Sequence, residues 1–201
     1  MVMNGHDPLG ELKKDLRREL RQRTLGADPV RKVAESVATA TTVLALLARL
    51  GEPAVASYLP MIDELDLGEV HRQRWGRGLP VWMPRIMPNY TLAWHPITTP
   101  AHVRSGTFSI LEPDPDLAPA ADLPLGTVVL VPGVGLGING RRLGRGKGYY
   151  DRALARADLI AIGVGFSWQR CDHVPMEPHD RHVHGVVLGG SVIRDPLPAG
   201  A

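Results

Sequence analysis

The stretch TVVLVPGVGLGINGRRLGRGKGYYDR, residues 127–152, decides the fold. Its apolar start, Thr127–Val131, has the pattern of a buried strand. A glycine-rich loop runs on to Gly148, and the residues that follow, to about Arg156, predict a helix. A second apolar run, Leu159–Phe166, predicts the next strand. Because strand, loop, helix and strand follow in this order, we expect a crossover connection and a parallel sheet.

The region before this stretch also alternates between helices and strands. A leucine at every fourth position, Leu12, Leu16 and Leu20, predicts an amphipathic helix. Asp28 is placed as an N-cap and Pro29 as the first residue of a second helix. We expect this helix to end near Leu50, with Gly51 closing it. The sequence also predicts strands at Ala54–Leu59, Leu79–Arg85 and about Tyr90–His95, and a helix from Leu65 to about Gly76. An irregular connection is expected over Glu112–Pro124.

The composition is that of a single globular domain. The chain has 201 residues, 44% of them hydrophobic, so it can bury a sizeable core. We expect residues 1–201 to form one domain, with 1–10 and 196–201 frayed. The 23 Lys and Arg residues nearly balance the 21 Asp and Glu residues, and the resulting net charge of +2 is no global nucleic-acid signature.

Three features favour a cytoplasmic location. The single cysteine, Cys171, excludes a disulfide framework and a cysteine-based zinc site, and it fits a reducing compartment. No apolar run approaches the ~20 residues that a membrane-spanning helix needs. Residues Met1–Gly10 lack the apolar core of a secretion signal. We therefore expect a cytoplasmic protein without a membrane partner, and we interpret Cys171 as a buried thiol.

The glycine-rich loop has the chemistry of a phosphate site. Backbone N–H groups can approach phosphate oxygens closely at glycines, while a helix start and cationic side chains add positive charge. The other interpretation is a flexible surface loop that its basic residues keep solvated. The residues in question are Gly133, Gly135, Gly137, Gly140, Gly144, Gly146 and Gly148, together with Arg141, Arg142, Arg145 and Lys147.

Two common phosphate motifs do not fit the loop. Gly135-x-Gly137-x-x-Gly140 formally matches a dinucleotide fingerprint, but cationic residues follow it and no acidic residue ends the next strand at Phe166. Lys147 is followed by glycine rather than by the Ser or Thr of a P-loop. The residues therefore predict a Rossmann-like fold without a dinucleotide site.

The segment Arg142-Leu-Gly-x-Gly-x-Gly-Tyr-Tyr-Asp151, inside Val131–Arg152, carries a resemblance to a known family. It resembles the signature of the 5-formyltetrahydrofolate cyclo-ligases, also called methenyltetrahydrofolate synthetases. Leu136-Gly137 departs from the pair Phe-Asp that members often carry, which removes an acidic side chain at position 137. The stretches that agree elsewhere span nearly the whole chain: Lys13-x-x-Leu16-Arg17, Tyr58-Leu-Pro60, Glu64-Leu-Asp66, Pro84-Arg85, Glu112-Pro113 and His179-Asp180.

The resemblance implies an ATP- and Mg²⁺-dependent ligase that closes 5-formyltetrahydrofolate to 5,10-methenyltetrahydrofolate and releases ADP and phosphate. ATP phosphorylates the formyl oxygen, N10 attacks the resulting imidate carbon, and phosphate departs. Such chemistry needs positioning and charge stabilisation more than a strong base. We expect a single three-layer α/β domain with a mixed, mainly parallel sheet flanked by helices. We further expect a monomer whose partners are these two small molecules.

By resemblance, each part of the site has a role. The residues expected to take part in catalysis are Arg145, Lys147 and Tyr149. Those expected to bind ATP are Lys13, Arg17, Arg142, Leu143, Gly144, Arg145, Gly146, Lys147, Gly148, Tyr149 and Tyr150. Those expected to bind the folate are Tyr58, Glu64, Arg145, Gly146, Lys147, Gly148 and Tyr149. Asp151 and Asp180 are expected to hold Mg²⁺, because hard oxygen ligands suit a hard cation.

The same residues allow three other interpretations. Lys13 and Arg17 share one helical face, and such residues usually form a solvated basic surface. The spacing of His179, His182 and His184 would allow a zinc site, although no acid motif of a metalloenzyme accompanies it. An RNA-binding surface on the basic helix and loop lacks interleaved aromatic residues apart from the two tyrosines of the signature.

Overall fold

The computed structural model describes residues 7–106 and 111–197. The helices are α1 (Pro8–Leu25), α2 (Pro29–Arg49), α3 (Gly68–Gly76) and α4 (Tyr149–Ala153). The strands are β1 (Val55–Ala56), β2 (Val81–Met87), β3 (Thr91–Ile97), β4 (Val103–Ser105), β5 (Leu111–Pro113), β6 (Val128–Pro132), β7 (Gly135–Gly137), β8 (Arg142–Leu143), β9 (Ile160–Gly165), β10 (Arg170–Cys171), β11 (Gly185–Leu188) and β12 (Ser191–Arg194).

Seven of these strands form the central sheet, in the order β12-β11-β9-β6-β1-β2-β3. The five inner strands are parallel, and the outer strands β12 and β3 are antiparallel to their neighbours. The expected mixed, mainly parallel sheet is therefore confirmed. Two small sheets, β10-β7-β8 and β4-β5, lie beside it.

The two faces of the sheet bury two apolar clusters. Val128 and Leu130 of β6 belong to one cluster, and the alternate residues Val129 and Val131 belong to the other. Helices α2 and α3 cover the first cluster. The short α4 and the chain around Leu123 cover the second, so this outer layer contains less helix than the first. The flanking of the sheet by helices is confirmed.

Local signals at the ends of the first two helices agree with the sequence. The Asp28 carboxylate accepts the backbone N–H of Val30 at 3.0 Å, as an N-cap does, and α2 begins at Pro29. Asp7 caps α1 in the same way through Gly10, so that helix begins at Pro8, within the stretch 1–10 that was expected to be frayed. The expectations for residues 1–6 and 198–201 lie outside the described residues.

Several element lengths differ from the expectation. Strand β1 has only the two residues Val55–Ala56, because the chain turns out of the ladder after Ser57 donates its N–H to Trp82. Helix α3 starts at Gly68, whose N–H is capped by the Asp66 carboxylate, rather than at Leu65. Helix α4 ends at Ala153 instead of about Arg156. The cations and loop backbone, rather than a long helix dipole, are therefore the positive elements near the loop.

Glycine has a packing role at the start of the apparent dinucleotide fingerprint. Gly135 lies in strand β7 and not in a turn before a helix. A Cβ atom there would lie 2.7 Å from Cys171 Sγ and 2.8 Å from Leu20 Cδ1. The glycine thus permits close approach of α1 and the buried thiol. No helix in the described part of the chain is long and apolar enough to cross a membrane.

Candidate active site

A cleft of about 660 Å³ opens where parallel strands end. The cleft is lined by Tyr58 and Leu59, which lie shortly after strand β1. It is also lined by Pro132, the last residue of strand β6, and by Gly133, which follows it. Ligands of open α/β sheets bind at this edge. Helix α1 and the glycine loop form further walls, so residues that are far apart in the chain meet here.

Lys13 of α1 is buried at one end of the cleft. Its ammonium group lies 2.5 Å from a carboxylate oxygen of Glu177 and 2.5 Å from one of Asp180. Burial lowers the pKa of Lys13, but the two carboxylates outweigh it and leave the pKa raised. The interpretation of Lys13 as a solvated surface residue is therefore wrong, because only 3% of this residue is exposed.

Arg17, one turn further along α1, joins the helix to the glycine loop. Its Nε–H donates to the carbonyl of Gly144 at 2.8 Å. A Cβ atom at Gly146 would lie 3.3 Å from the Arg17 guanidinium carbon, so the loop passes directly over this side chain. Lys13 and Arg17 both line the cleft, as their shared helical face predicts.

The loop presents an exposed cation at its tip. Lys147 is exposed, and it makes no salt bridge with a carboxylate in residues 7–106 or 111–197. Its Nζ lies 5.9 Å from the centre of the Tyr90 ring. Gly146 and Gly148 on either side have φ angles of 94° and 69°, which favour glycine. The loop thus holds Lys147 by its backbone and leaves the charge available to a ligand.

A group of acids faces the loop from the turn after β1. Glu64 accepts the Nε–H of Arg145 at 2.9 Å and the backbone N–H of Met61 at 3.0 Å. The neighbouring Asp63 accepts from Arg145 at 2.5 Å and from Arg21 at 2.8 Å. Glu64 and the glycine loop therefore meet in one cleft, as the sequence reasoning expected.

Tyr58 lies in the wall beside these acids, with its hydroxyl already engaged. The hydroxyl donates to the carbonyl of Leu65 at 2.6 Å, and burial raises the pKa of Tyr58. Tyr58 also fixes the turn that contains Asp63 and Glu64, since Leu65 comes directly after them.

The signature residues at the start of α4 pack around a buried arginine. Arg142 donates to Asp151 at 2.9 Å, and its guanidinium carbon lies 5.8 Å from the centre of the Tyr150 ring. Burial raises the pKa of Tyr150. Tyr149 packs against Tyr90 with 5.9 Å between the ring centres. Tyr150 therefore supports the loop from the core, while Tyr149 stands at the mouth of the cleft.

The two expected metal ligands both line the cleft, but they have different neighbours. Asp151 Oδ1 accepts from Arg142 and, at 3.2 Å, from the backbone N–H of Arg181. Asp180 instead lies with Glu177 and His179 in a group whose candidate ligand atoms are within 4.8 Å of one another. Asp151 belongs to no such group of three within the described residues.

The two alternative interpretations lose support. Of the three histidines, only His179 joins a metal-capable group in the part of the chain described here, and His184 Nδ1 is occupied by the backbone N–H of Ala161 at 2.9 Å. The helical face shared by Lys13 and Arg17 lines the cleft rather than an open surface for RNA, since Lys13 pairs with Glu177 and Asp180. The exposed Lys14, Arg18 and Arg23 form ion pairs with acids of α1 itself.

Fold and cleft together define an α/β enzyme whose binding site, at the carboxyl edge of a mainly parallel sheet, combines cations with carboxylates. A model of the 5-formyltetrahydrofolate cyclo-ligase family matches residues 10–189. The chain therefore belongs to the 5-formyltetrahydrofolate cyclo-ligase family, and the family and enzyme class predicted from the sequence are confirmed.

Individual relatives agree with this assignment. A 5-formyltetrahydrofolate cyclo-ligase of Saccharomyces cerevisiae is 28% identical and covers 90% of this chain and 97% of the relative. One of Mycolicibacterium smegmatis is 39% identical over 83 residues, which are 40% of this chain and 43% of the relative. The solved structure of the Aquifex aeolicus 5,10-methenyltetrahydrofolate synthetase superposes with a TM-score of 0.78 at 25% identity, covering 94% of this chain and 95% of that one.

Two acidic residues of the cleft were missed by the sequence analysis. Asp63 binds two arginines, and Glu177 binds Lys13. Each stands close in the chain to a residue that was singled out, Glu64 and Asp180 respectively. Proximity to a candidate was the only available signal, because the partners of both residues lie far away along the chain.

Proposed function

We propose that the protein catalyses the ATP- and Mg²⁺-dependent cyclisation of 5-formyltetrahydrofolate to 5,10-methenyltetrahydrofolate, with release of ADP and phosphate. The observation that carries the proposal is the meeting of the cationic glycine loop and Glu64 in one cleft. A ligase that couples a nucleotide to a folate needs both substrates within reach of each other. Family membership supports the same reaction.

The nucleotide is assigned to the side of the cleft formed by α1 and the loop. Arg17 and Arg142 offer guanidinium groups there, and the loop from Leu143 to Gly148 offers backbone N–H groups. Guanidinium and backbone donors are suited to phosphate oxygens. Lys13 is already balanced by two carboxylates, so its role is to hold α1 and the segment around Asp180 together at this end.

The folate is assigned to the side formed by the turn after β1. A carboxylate such as Glu64 pairs well with the amino group and ring N–H of a pterin, and the Tyr58 ring offers an apolar wall. The Arg145 guanidinium that now contacts Glu64 would lie next to the reacting formyl group. Tyr149, at the mouth of the cleft, would cover the bound ring.

The proposed reaction has two bond-making steps. The formyl oxygen attacks the γ-phosphorus of ATP, and the bond between that phosphorus and the bridging oxygen breaks to release ADP. N10 then attacks the activated carbon and loses its proton, and the carbon–oxygen bond breaks to release phosphate. Lys147 and Arg145 stabilise the negative charge that moves onto oxygen in both steps, which is the main demand of phosphoryl transfer.

The residues present fit a magnesium ion. Asp151 has a second carboxylate oxygen that accepts from no protein donor within the described residues. Asp180 and Glu177 bind Lys13 through Oδ2 and Oε2, which leaves Oδ1 and Oε1 as further oxygen ligands. Oxygen donors of this kind suit Mg²⁺, which is usually held by one or two carboxylates together with phosphates. When bound, Mg²⁺ would neutralise charge on the nucleotide phosphates.

A direct assay tests the proposal. Purified protein is mixed with MgATP and 5-formyltetrahydrofolate, and the absorbance of the methenyl product is followed. We expect product to accumulate in step with ADP, and no product when ATP is omitted. Absence of product at substrate concentrations that saturate binding would refute the proposed reaction.

A further inference from the structure

Asp63 is a buried carboxylate in the wall of the cleft, beside the residue assigned to the pterin. We propose that Asp63 is a positioning residue that holds the Arg145 guanidinium in the cleft while Glu64 is engaged by the folate. This inference rests on the proposed function, because that function assigns Glu64 and Arg145 to the substrate.

Both oxygens of Asp63 are paired with arginines from different elements. Oδ2 accepts from Arg21 of α1 at 2.8 Å, and Oδ1 accepts from Arg145 of the glycine loop at 2.5 Å. The Asp63 side chain is only 3% exposed. A carboxylate removed from water in this way is tolerated because both oxygens receive charge-assisted hydrogen bonds. Asp63 is thus a fixed point, tied to the helix on one side and to the loop on the other.

Arg145 divides its donors between two neighbouring acids. Nη2 contacts Asp63, while Nε contacts Glu64 at 2.9 Å. When Glu64 turns its oxygens to the pterin, Arg145 loses one of these partners. The pterin does not compete for Asp63, so the hydrogen bond between Arg145 and Asp63 can persist.

Within the described residues, the side-chain hydrogen bonds of Arg145 go only to Asp63 and Glu64. If Glu64 is engaged by the folate, Asp63 is therefore the partner that remains to orient this guanidinium. Burial raises the pKa of Asp63, but the two guanidinium groups outweigh it and keep the pKa lowered, so the anchor is charged at neutral pH.

A double-mutant cycle between Asp63→Asn and Arg145→Gln tests the inference. At saturating MgATP, Asp63→Asn should lower kcat about ten- to a hundredfold, because a stabilising charge is misplaced, while KM for the folate changes much less. In the Arg145→Gln background the same substitution should have almost no further effect. Arg21→Gln breaks the other ion pair of Asp63 and is the matched comparison, for which we expect a smaller loss of kcat than for Asp63→Asn because the pair between Asp63 and Arg145 remains.

A readout without substrate separates this inference from the proposed reaction. In protein labelled with ¹⁵N-arginine, the Arg145 Nη signal is assigned by its loss in Arg145→Gln. This signal should exchange slowly with water in the wild type and in Glu64→Gln, because the bond from Nη2 to Asp63 remains. In Asp63→Asn, which loses the charge and one of the two acceptor oxygens, the signal should exchange markedly faster. Should Asp63→Asn not fold, Asp63→Glu, which keeps the charge but moves it, replaces it in both arms.

The outcomes decide between the possibilities. Additive effects of Asp63→Asn and Arg145→Gln on kcat, or an Arg145 signal that stays protected in Asp63→Asn, would overturn the positioning role. An equal loss in Arg21→Gln would show that Asp63 acts through α1 instead. A wild-type protein that forms no methenyl product would refute the reaction, and the exchange of the Arg145 signal would then decide the positioning role alone.

Discussion

The two lysines of the cleft stand in opposite surroundings. Lys13 is buried between Glu177 and Asp180, whereas Lys147 is exposed on the glycine loop and forms no ion pair with the described residues. The charge of Lys13 is therefore already neutralised by the protein. The charge of Lys147 is available to a ligand. Residue type alone does not separate an anchoring lysine from one that acts on substrate; the partners supplied by the fold do.

Of the changes considered, removal of the divalent cation should have the largest effect on turnover. If the carboxylates around Asp180 and Asp151 hold Mg²⁺ against the phosphates, an excess of chelator should abolish formation of the methenyl product. Added Mg²⁺ should restore it. Turnover that continues in chelator would contradict the magnesium assignment.

Loss of the exposed lysine should come next. Lys147→Ala should lower kcat by about two to three orders of magnitude, as expected for a group that stabilises developing charge. Lys14→Ala is the matched control, because Lys14 is an exposed lysine paired with Glu11 at 3.6 Å and should contribute little. Steady-state rates of the two variants, compared at equal folded fraction, check the prediction. Equal kcat values for Lys147→Ala and Lys14→Ala would show that the charge of Lys147 does not contribute to catalysis.

The two sides of the cleft should respond to different ligands. Glu64→Ala should weaken folate binding about ten- to a hundredfold, with little change for nucleotide, and Arg17→Ala should do the reverse. Calorimetric titration of each variant with each ligand measures this. Glu69→Ala, which removes a partly exposed acid paired with Arg72 outside the cleft, is the control for charge alone. A Glu64→Ala variant that loses nucleotide binding but keeps folate binding would reverse the assignment.

Low pH should destabilise the fold around Asp63, and we expect this effect to be smaller than the preceding ones. Because the folded-state pKa of Asp63 is lowered, its contribution to stability is present above the unfolded pKa of about 3.9 and is lost as pH falls through the folded value. The free energy of unfolding of the wild type should exceed that of Asp63→Asn by about 1–3 kcal/mol at pH 7.

Urea denaturation at several pH values checks this prediction. The difference between the wild type and Asp63→Asn should begin to shrink below about pH 4, where Asp63 of the unfolded chain binds a proton, and should be lost once pH falls below the lower folded-state pKa. Asp15→Asn, at an exposed ion pair with Arg18, provides the control. A difference between wild type and Asp63→Asn that stays constant down to pH 2 would mean that the charge of Asp63 does not stabilise the fold.

Features that depend on residues close together in the chain could be predicted from the sequence. Helix α2 begins at Pro29 after the cap Asp28, and strands β6 and β9 occupy the two apolar runs around the glycine loop. Pro80 and Pro84 weaken the prediction of a strand at Leu79–Arg85, yet β2 forms over Val81–Met87. Pro84 lies beyond the two residues of β2 that pair with β1, so its missing N–H does not interrupt that ladder.

Features that depend on distant residues could not be predicted in this way. Lys13 and Glu177 are 164 residues apart, and Arg145 and Asp63 are 82 residues apart. No local pattern indicates that a basic helical face will be buried against acids from the other end of the chain. The ends of strand β1 and helix α4 were also misjudged from the sequence, since β1 spans only Val55–Ala56 and α4 only Tyr149–Ala153.

Simultaneous binding tests most directly the claim that one cleft holds both substrates on different sides. A non-hydrolysable ATP analogue with Mg²⁺ is titrated calorimetrically into protein already saturated with 5-formyltetrahydrofolate. We expect one analogue to bind per chain, with an affinity at least equal to that for the folate-free protein. Loss of nucleotide binding in the presence of folate would mean that the two compete for one subsite, and would contradict the account.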